Sequence, residues 1–187
     1  MASADRKVSD RLQPRPHLYQ WTRARPHFTI ARLPANQEAL VNAEQKQKLL
    51  SLFGQEQVAI LITQGDQWPT GTLQAFAETP DLDLLCIMRV SAEKYKNIVA
   101  HPKVTVMVDT RDVGKVATFE IARASVQGEA VEVPRDTPEW ATLKAVFLKK
   151  NPFEAPFFDS DLLRMVRIKP KRISYANGIK DTFWIEL

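Results

Sequence analysis

The stretch Ser91 to Val108, SAEKYKNIVAHPKVTVMV, places a lysine where helix electrostatics disfavours one. Ser91 is the expected N-cap, and Glu93 suits the positive end of the helix dipole. Tyr95, Ile98 and Val99 follow the i, i+3, i+4 spacing of an apolar helix face, and His101-Pro102 ends the helix. Lys94 opposes the dipole in the first turn, a cost of about 0.3–1 kcal/mol. An anion reverses that sign, because free N–H groups at a helix start and an ammonium together form an anion site. The chemistry this spacing supports is therefore capture of a group such as phosphate.

Other reactive residues form no comparable constellation. His17, His27, His101 and Cys86 lie far apart and lack metal-ligand spacing, so no metal is expected. No G-x-S-x-G, P-loop or G-x-G-x-x-G is present, and no catalytic acid, base or nucleophile is nominated. Cys86 lies in the apolar run LDLLCIM and reads as a buried, inert thiol.

The elements that must position Lys94 follow from local pattern. Residues 1–37 read as a basic, Pro-rich arm, and 38–187 as the folded domain. Asn36 is the expected cap of the helix EALVNAEQKQKLLSLFG, which Gly54 ends. QVAILITQ and TGTLQAF form a hairpin across the Gly65-Asp66 turn, and LDLLCIMRV is the third strand. KVTVMVDTR is a fourth, with Val104, Val106 and Val108 on its buried face. In ARASVQGEAVEV, Ala124 and Val126 share one parity while Val131 and Val133 share the other. A bulge at Gly128 is therefore expected. PEWATLKAVFLKK is an amphipathic helix with Trp140, Leu143, Val146 and Phe147 inward. DLLRMVRIKPKRISYA is a long strand interrupted at Pro170, and FWIEL a short addition. Hairpin-linked strands with few helices predict a mainly antiparallel barrel rather than a doubly wound sheet.

Composition fixes the broad class. The chain has 187 residues, 44% hydrophobic and 26% charged, as in an ordinary soluble globular protein. No apolar run approaches the roughly 20 residues of a membrane span. One cysteine and an N-terminus without an apolar core fit a cytoplasmic setting. The formal charge of +4 lies entirely in the first 56 residues, since 57–187 hold 17 basic and 17 acidic side chains. Tyr19, Trp21, Phe28 and Ile30 make that segment apolar enough to pack rather than serve as a nucleic-acid tail. The strands lack interleaved aromatic and basic residues of the RNA-binding kind.

The element order, and the pattern Ser91, Lys94, Asn97, Ile98, His101, Pro102, Lys103, Val104, resemble the split-barrel flavin-binding superfamily related to pyridoxamine 5′-phosphate oxidase. WPTGTLQAFAETPDLDLLCIM, FEIARASVQGEAVEV and VRIKPKRISYA carry the likeness on either side. The resemblance implies a six-stranded antiparallel Greek-key split β-barrel, mainly β with a few flanking α-helices. It also implies a homodimer holding FMN at the subunit interface and an oxidoreductase acting on a small substrate. Deazaflavin F420 and haem are the alternative cofactors in that superfamily, and a flavin sensor is the non-enzymatic alternative. By position, Lys94 would contact the FMN phosphate, with Met88 and Arg89 near the ribityl chain. Thr72, Leu73, Gln74 and Ala75 would lie along the ring, and Arg123 near its N1–C2 edge. The chain departs from true pyridoxamine phosphate oxidases at Thr72 and Glu93, where those enzymes carry arginine. It also lacks their C-terminal Arg-x-His, so vitamin B6 oxidation is not expected.

Overall fold

The computed structural model describes residues 42–111 and 121–187; the basic arm and the Asn36 cap lie outside these residues. Helix α1 (Ala43–Gln55) is capped by Asn42, whose side-chain oxygen accepts from the Glu44 and Gln45 amides. Its Leu49, Leu52 and Phe53 are buried. The strands are β1 (Val58–Gln64), β2 (Pro69–Glu78), β3 (Leu84–Arg89), β4 (Lys103–Asp109), β5 (Arg123–Glu132), β6 (Leu163–Asn177) and β7 (Asp181–Glu186). Helix α2 (Glu93–Ala100) joins β3 to β4. Between β5 and β6 come α3 (Pro138–Lys150) and a 3-10 helix, Pro152–Asp159, which the sequence reading did not anticipate.

All pairings are antiparallel, in the order β3-β2-β1-β4-β5-β6-β7, and β3 also pairs with β6. That last pairing closes six strands into a barrel, and β7 extends the sheet from β6. The expected barrel is therefore present, with FWIEL as a seventh strand.

Alternation in each strand creates two cores. Inward residues such as Leu61, Phe76, Leu84, Cys86, Val106, Val126 and Ile173 fill the barrel. The opposite faces of β3 and early β6 (Leu85, Ile87, Leu163, Met165) pack under α3 through Trp140, Leu143 and Phe147. Thr137 caps α3, and Pro138 occupies its first turn without losing a hydrogen bond. Full burial of a side chain such as Phe147 contributes about 1.5–3 kcal/mol.

Several local expectations are corrected. Strand β5 keeps its parity through Ala130, and Val131 is exposed. The bulge lies where expected, but the extra residue is on the partner strand. Gln127 faces Arg172 and Gly128 faces Pro170, so Lys171 is the inserted residue. A Cβ on Gly128 would lie 2.4 Å from the Lys169 carbonyl oxygen, so only glycine fits this approach. Pro170 does not interrupt β6, because the bulge accommodates it within one continuous strand. Val99 is exposed, leaving Ile98 as the buried anchor of α2 with Tyr95 partly buried. Among the described residues, no helix is long and apolar enough to cross a membrane.

Candidate functional site

Helix α2 begins without a side-chain cap. Its N-cap is Ala92, not Ser91, in extended conformation with no side-chain hydrogen bond. The turn from β3 is held by Ala92 N–H donating to the Arg89 carbonyl at 3.0 Å. This tight turn leaves Ser91 one residue short of the capping position. Backbone N–H groups at the helix start are consequently available to an external acceptor.

Lys94 sits at that start but turns inward. Its Nζ donates to Gln74 Oε1 at 2.5 Å. Gln74 is buried on β2, and its Nε2 donates to the Ile87 carbonyl at 3.1 Å and the Ala75 carbonyl at 3.2 Å. Burial lowers the Lys94 pKa below the ordinary lysine value of 10.5, opposed only by the nearby Cys86 sulfur. Burial likewise pushes the Cys86 thiol up to about 12, which makes it an inert proton-bearing group at neutral pH.

The rest of the barrel end is polar where β1 and β2 present inward residues. Asn97, one turn beyond Lys94, donates to Thr63 Oγ1 at 3.0 Å. Thr70 Oγ1 donates to the Glu93 carboxylate at 3.4 Å, so that carboxylate is engaged by β2. Thr72 Oγ1 is shielded from solvent and has no hydrogen-bond partner among the described residues. Buried hydroxyls are rarely left unpaired, so this atom calls for a partner that the described residues do not supply.

The structure thus brings Gln74 and Lys94 into contact and places Thr72 on the same side of β2. Met88 points into the barrel and is a core residue. Arg89 is exposed at the end of β3. Leu73 and Ala75 lie on the opposite side of β2. Leu73 lines a cleft of about 130 Å³ with Ile60 and Met107, and Ala75 packs against the core beneath α3. Arg123 lies on β5, beyond β1 and β4 in sheet order, opposite Asp109 and Ala176. Thr63, Thr70 and Cys86 were not singled out as site residues. The inward parity of β1, β2 and β3 was the available signal, but it does not say where α2 will land. Among the described residues, no cluster of His, Cys, Asp or Glu is suited to hold a metal.

No protein-family model matches the sequence, and no curated protein matches it. Solved structures do match. A heme-binding protein from Mycobacterium smegmatis aligns with TM-score 0.68 and 13% identity over 82% of this chain and 60% of that one. A pyridoxamine 5′-phosphate oxidase candidate from Listeria innocua aligns with TM-score 0.57 and 18% identity over 71% and 98%. A FAD-binding protein from Mesorhizobium loti gives TM-score 0.54 and 17% identity over 67% and 87%. In fold, the chain is a split β-barrel similar to these structures.

Proposed function

We propose that this protein binds FMN noncovalently beside the start of α2. We further propose that the site is completed by a second copy of the chain and that the protein is an oxidoreductase for a small substrate. The observation carrying this reading is the uncapped α2 start with Lys94 in its first turn, set against β2. The residues fit the cofactor in chemical type. The Glu93 and Lys94 amides and the Lys94 ammonium would receive the phosphate, and the Thr72 hydroxyl would supply a donor or acceptor that the described residues leave unused. Glu93 is the unfavourable charge, and a hydrogen bond from Thr70 partly satisfies it.

When bound, a flavin supplies hydride or electron transfer. The chain's own part is to hold and orient. Lys94 would neutralise phosphate charge and Arg89 would add a solvent-accessible cation at the end of β3, whereas Arg123, three strands from β2 in its own copy, would reach the cofactor only from the second copy. Nothing in this arrangement nominates a protein acid or base.

Haem is the second reading, favoured by the M. smegmatis neighbour. His101 is the only histidine among the described residues, and it is the exposed C-cap of α2. It lies seven positions beyond Lys94, about 10 Å along the helix. A haem seated beside Lys94 would therefore take any histidine ligand from a residue other than His101 of the same copy.

The test is the visible spectrum of the purified protein before and after FMN is added, with the bound fraction isolated by gel filtration. A retained flavin spectrum supports the proposal. A Soret band replaces it with haem, and a protein that retains neither overturns both readings. Sedimentation of the same sample tests the dimer.

A further inference from the structure

We infer that the outer face of the sheet carries a second ligand site, a cationic cradle at the β6 bulge that takes a hydroxyl-bearing phosphate ester of sugar or nucleotide size. The cradle is a cavity of about 600 Å³, within the usual range for small-molecule sites. Three cationic side chains line it: Lys103 at the start of β4, the inserted Lys171, and Arg172. Among the described residues, neither lysine's ammonium group makes a hydrogen bond or ion pair. Two lysines and an arginine on one cavity wall make it attractive to a dianionic phosphate.

Arg172 is the fixed member of the set. Its Nε lies 3.3 Å from Glu186, and its guanidinium carbon sits 4.0 Å over the Trp184 ring. Glu186 and Trp184 therefore orient the fork, while no described protein acceptor takes its terminal NH2 groups. Arginine held in this way is suited to oxygen atoms of a phosphate. Two carboxylates also line the cavity: Glu129, opposite Lys103 in the β4–β5 register, and Glu186, which is committed to Arg172. A carboxylate opposes a bare anion but accepts well from a hydroxyl, so it selects an ester carrying sugar hydroxyls over inorganic phosphate. A smaller cleft of about 290 Å³ shares Gln127 and Arg172 with the first and reaches Trp184, giving room for the remainder of the ligand.

The bulge gives this cradle its shape. The close approach of Gly128 to the Lys169 carbonyl permits the register shift, and the shift places Lys171 as an extra residue beside Arg172. A regular ladder would set every β6 residue opposite one β5 residue and would leave no inserted lysine.

The experiment is calorimetric titration with AMP, ribose 5-phosphate and inorganic phosphate at 0.15 M salt, with tryptophan fluorescence followed in parallel. The esters are expected to bind and to perturb fluorescence in the parent but not in Trp184→Phe. The double variant Lys103→Ala/Lys171→Ala should weaken them at least tenfold while retaining the parent's thermal melt. Lys94→Ala should leave ester affinity unchanged, which separates this site from the α2 cleft. Absence of ester binding, equal binding of inorganic phosphate, or an undiminished double variant would each overturn the proposal. So would a double variant that changes only sedimentation, because the face would then be a contact between copies.

Discussion

Lys94 Nζ donates to Gln74 Oε1 at 2.5 Å, so the lysine at the start of α2 is anchored to the interior side of β2. The bond joins an ammonium at a helix start to a carboxamide whose NH2 is already committed to the Ile87 and Ala75 carbonyls. Gln74 thus satisfies the lysine without an anion. A phosphate at the helix start must compete with it.

Lys94→Ala is expected to weaken FMN by about 1.5–3 kcal/mol, the worth of a charge-assisted hydrogen bond. Gln74→Leu is expected to act in the opposite direction, because it removes the internal competitor for the ammonium. Equilibrium titration of both variants decides the matter. Unchanged affinity in Lys94→Ala removes the phosphate role, and a loss in Gln74→Leu means that Gln74 touches the cofactor itself.

Cys86 is 1% exposed, with its thiol pKa raised by burial to about 12. It should resist a thiol reagent at pH 8 in the native state and react with one equivalent after denaturation. Its raised pKa also sets a sign. The stabilising contribution is full below the unfolded value of 9.0 and is lost as pH rises toward 12, because the unfolded chain gives up the proton first. Cys86→Ala should therefore show a shallower stability loss above pH 9 than the parent in urea titrations.

Gly128→Ala forces a Cβ to within 2.4 Å of the Lys169 carbonyl oxygen, a backbone atom that cannot swing aside. The expected cost is about 3 kcal/mol, near the upper end of overpacking effects. For a chain of this size that lowers Tm by roughly 6–12 °C. A calorimetric Tm within two degrees of the parent would show that the bulge relaxes freely.

Lys150 ties α3 to the barrel: its Nζ lies 2.5 Å from Glu78 and 2.7 Å from the Phe53 carbonyl oxygen, 3.8 Å over the Phe76 ring. Burial lowers its pKa, with Glu78 opposing. Glu78→Ala leaves a half-buried ammonium without its hydrogen-bonded carboxylate, with only the charge of Glu56 still acting on it, and should cost about 2 kcal/mol, below the fully buried case because the pair retains some exposure. In Glu78→Ala/Lys150→Met most of that loss should return, since no charge remains to be desolvated. Urea unfolding of both variants gives the comparison.

Local sequence determined a good deal of this protein. Period-two alternation marked the strands, Pro138 and the apolar spacing of Trp140, Leu143 and Phe147 marked α3, and Gly128 marked the place of the bulge. These features are legible because a side chain's direction in a strand or helix depends on its own position in the chain. The closure of β3 on β6, the strand that carries the extra residue, and the partner of Lys94 were decided only by tertiary structure. Each depends on which distant segments meet. An odd residue can be taken up by either strand of a pair, and Lys171 takes it up because Gly128 lets the β6 backbone approach. A lysine on a helix can face solvent or core, and Lys94 faces the core because the uncapped turn after Arg89 sets α2 across the barrel end, within reach of Gln74.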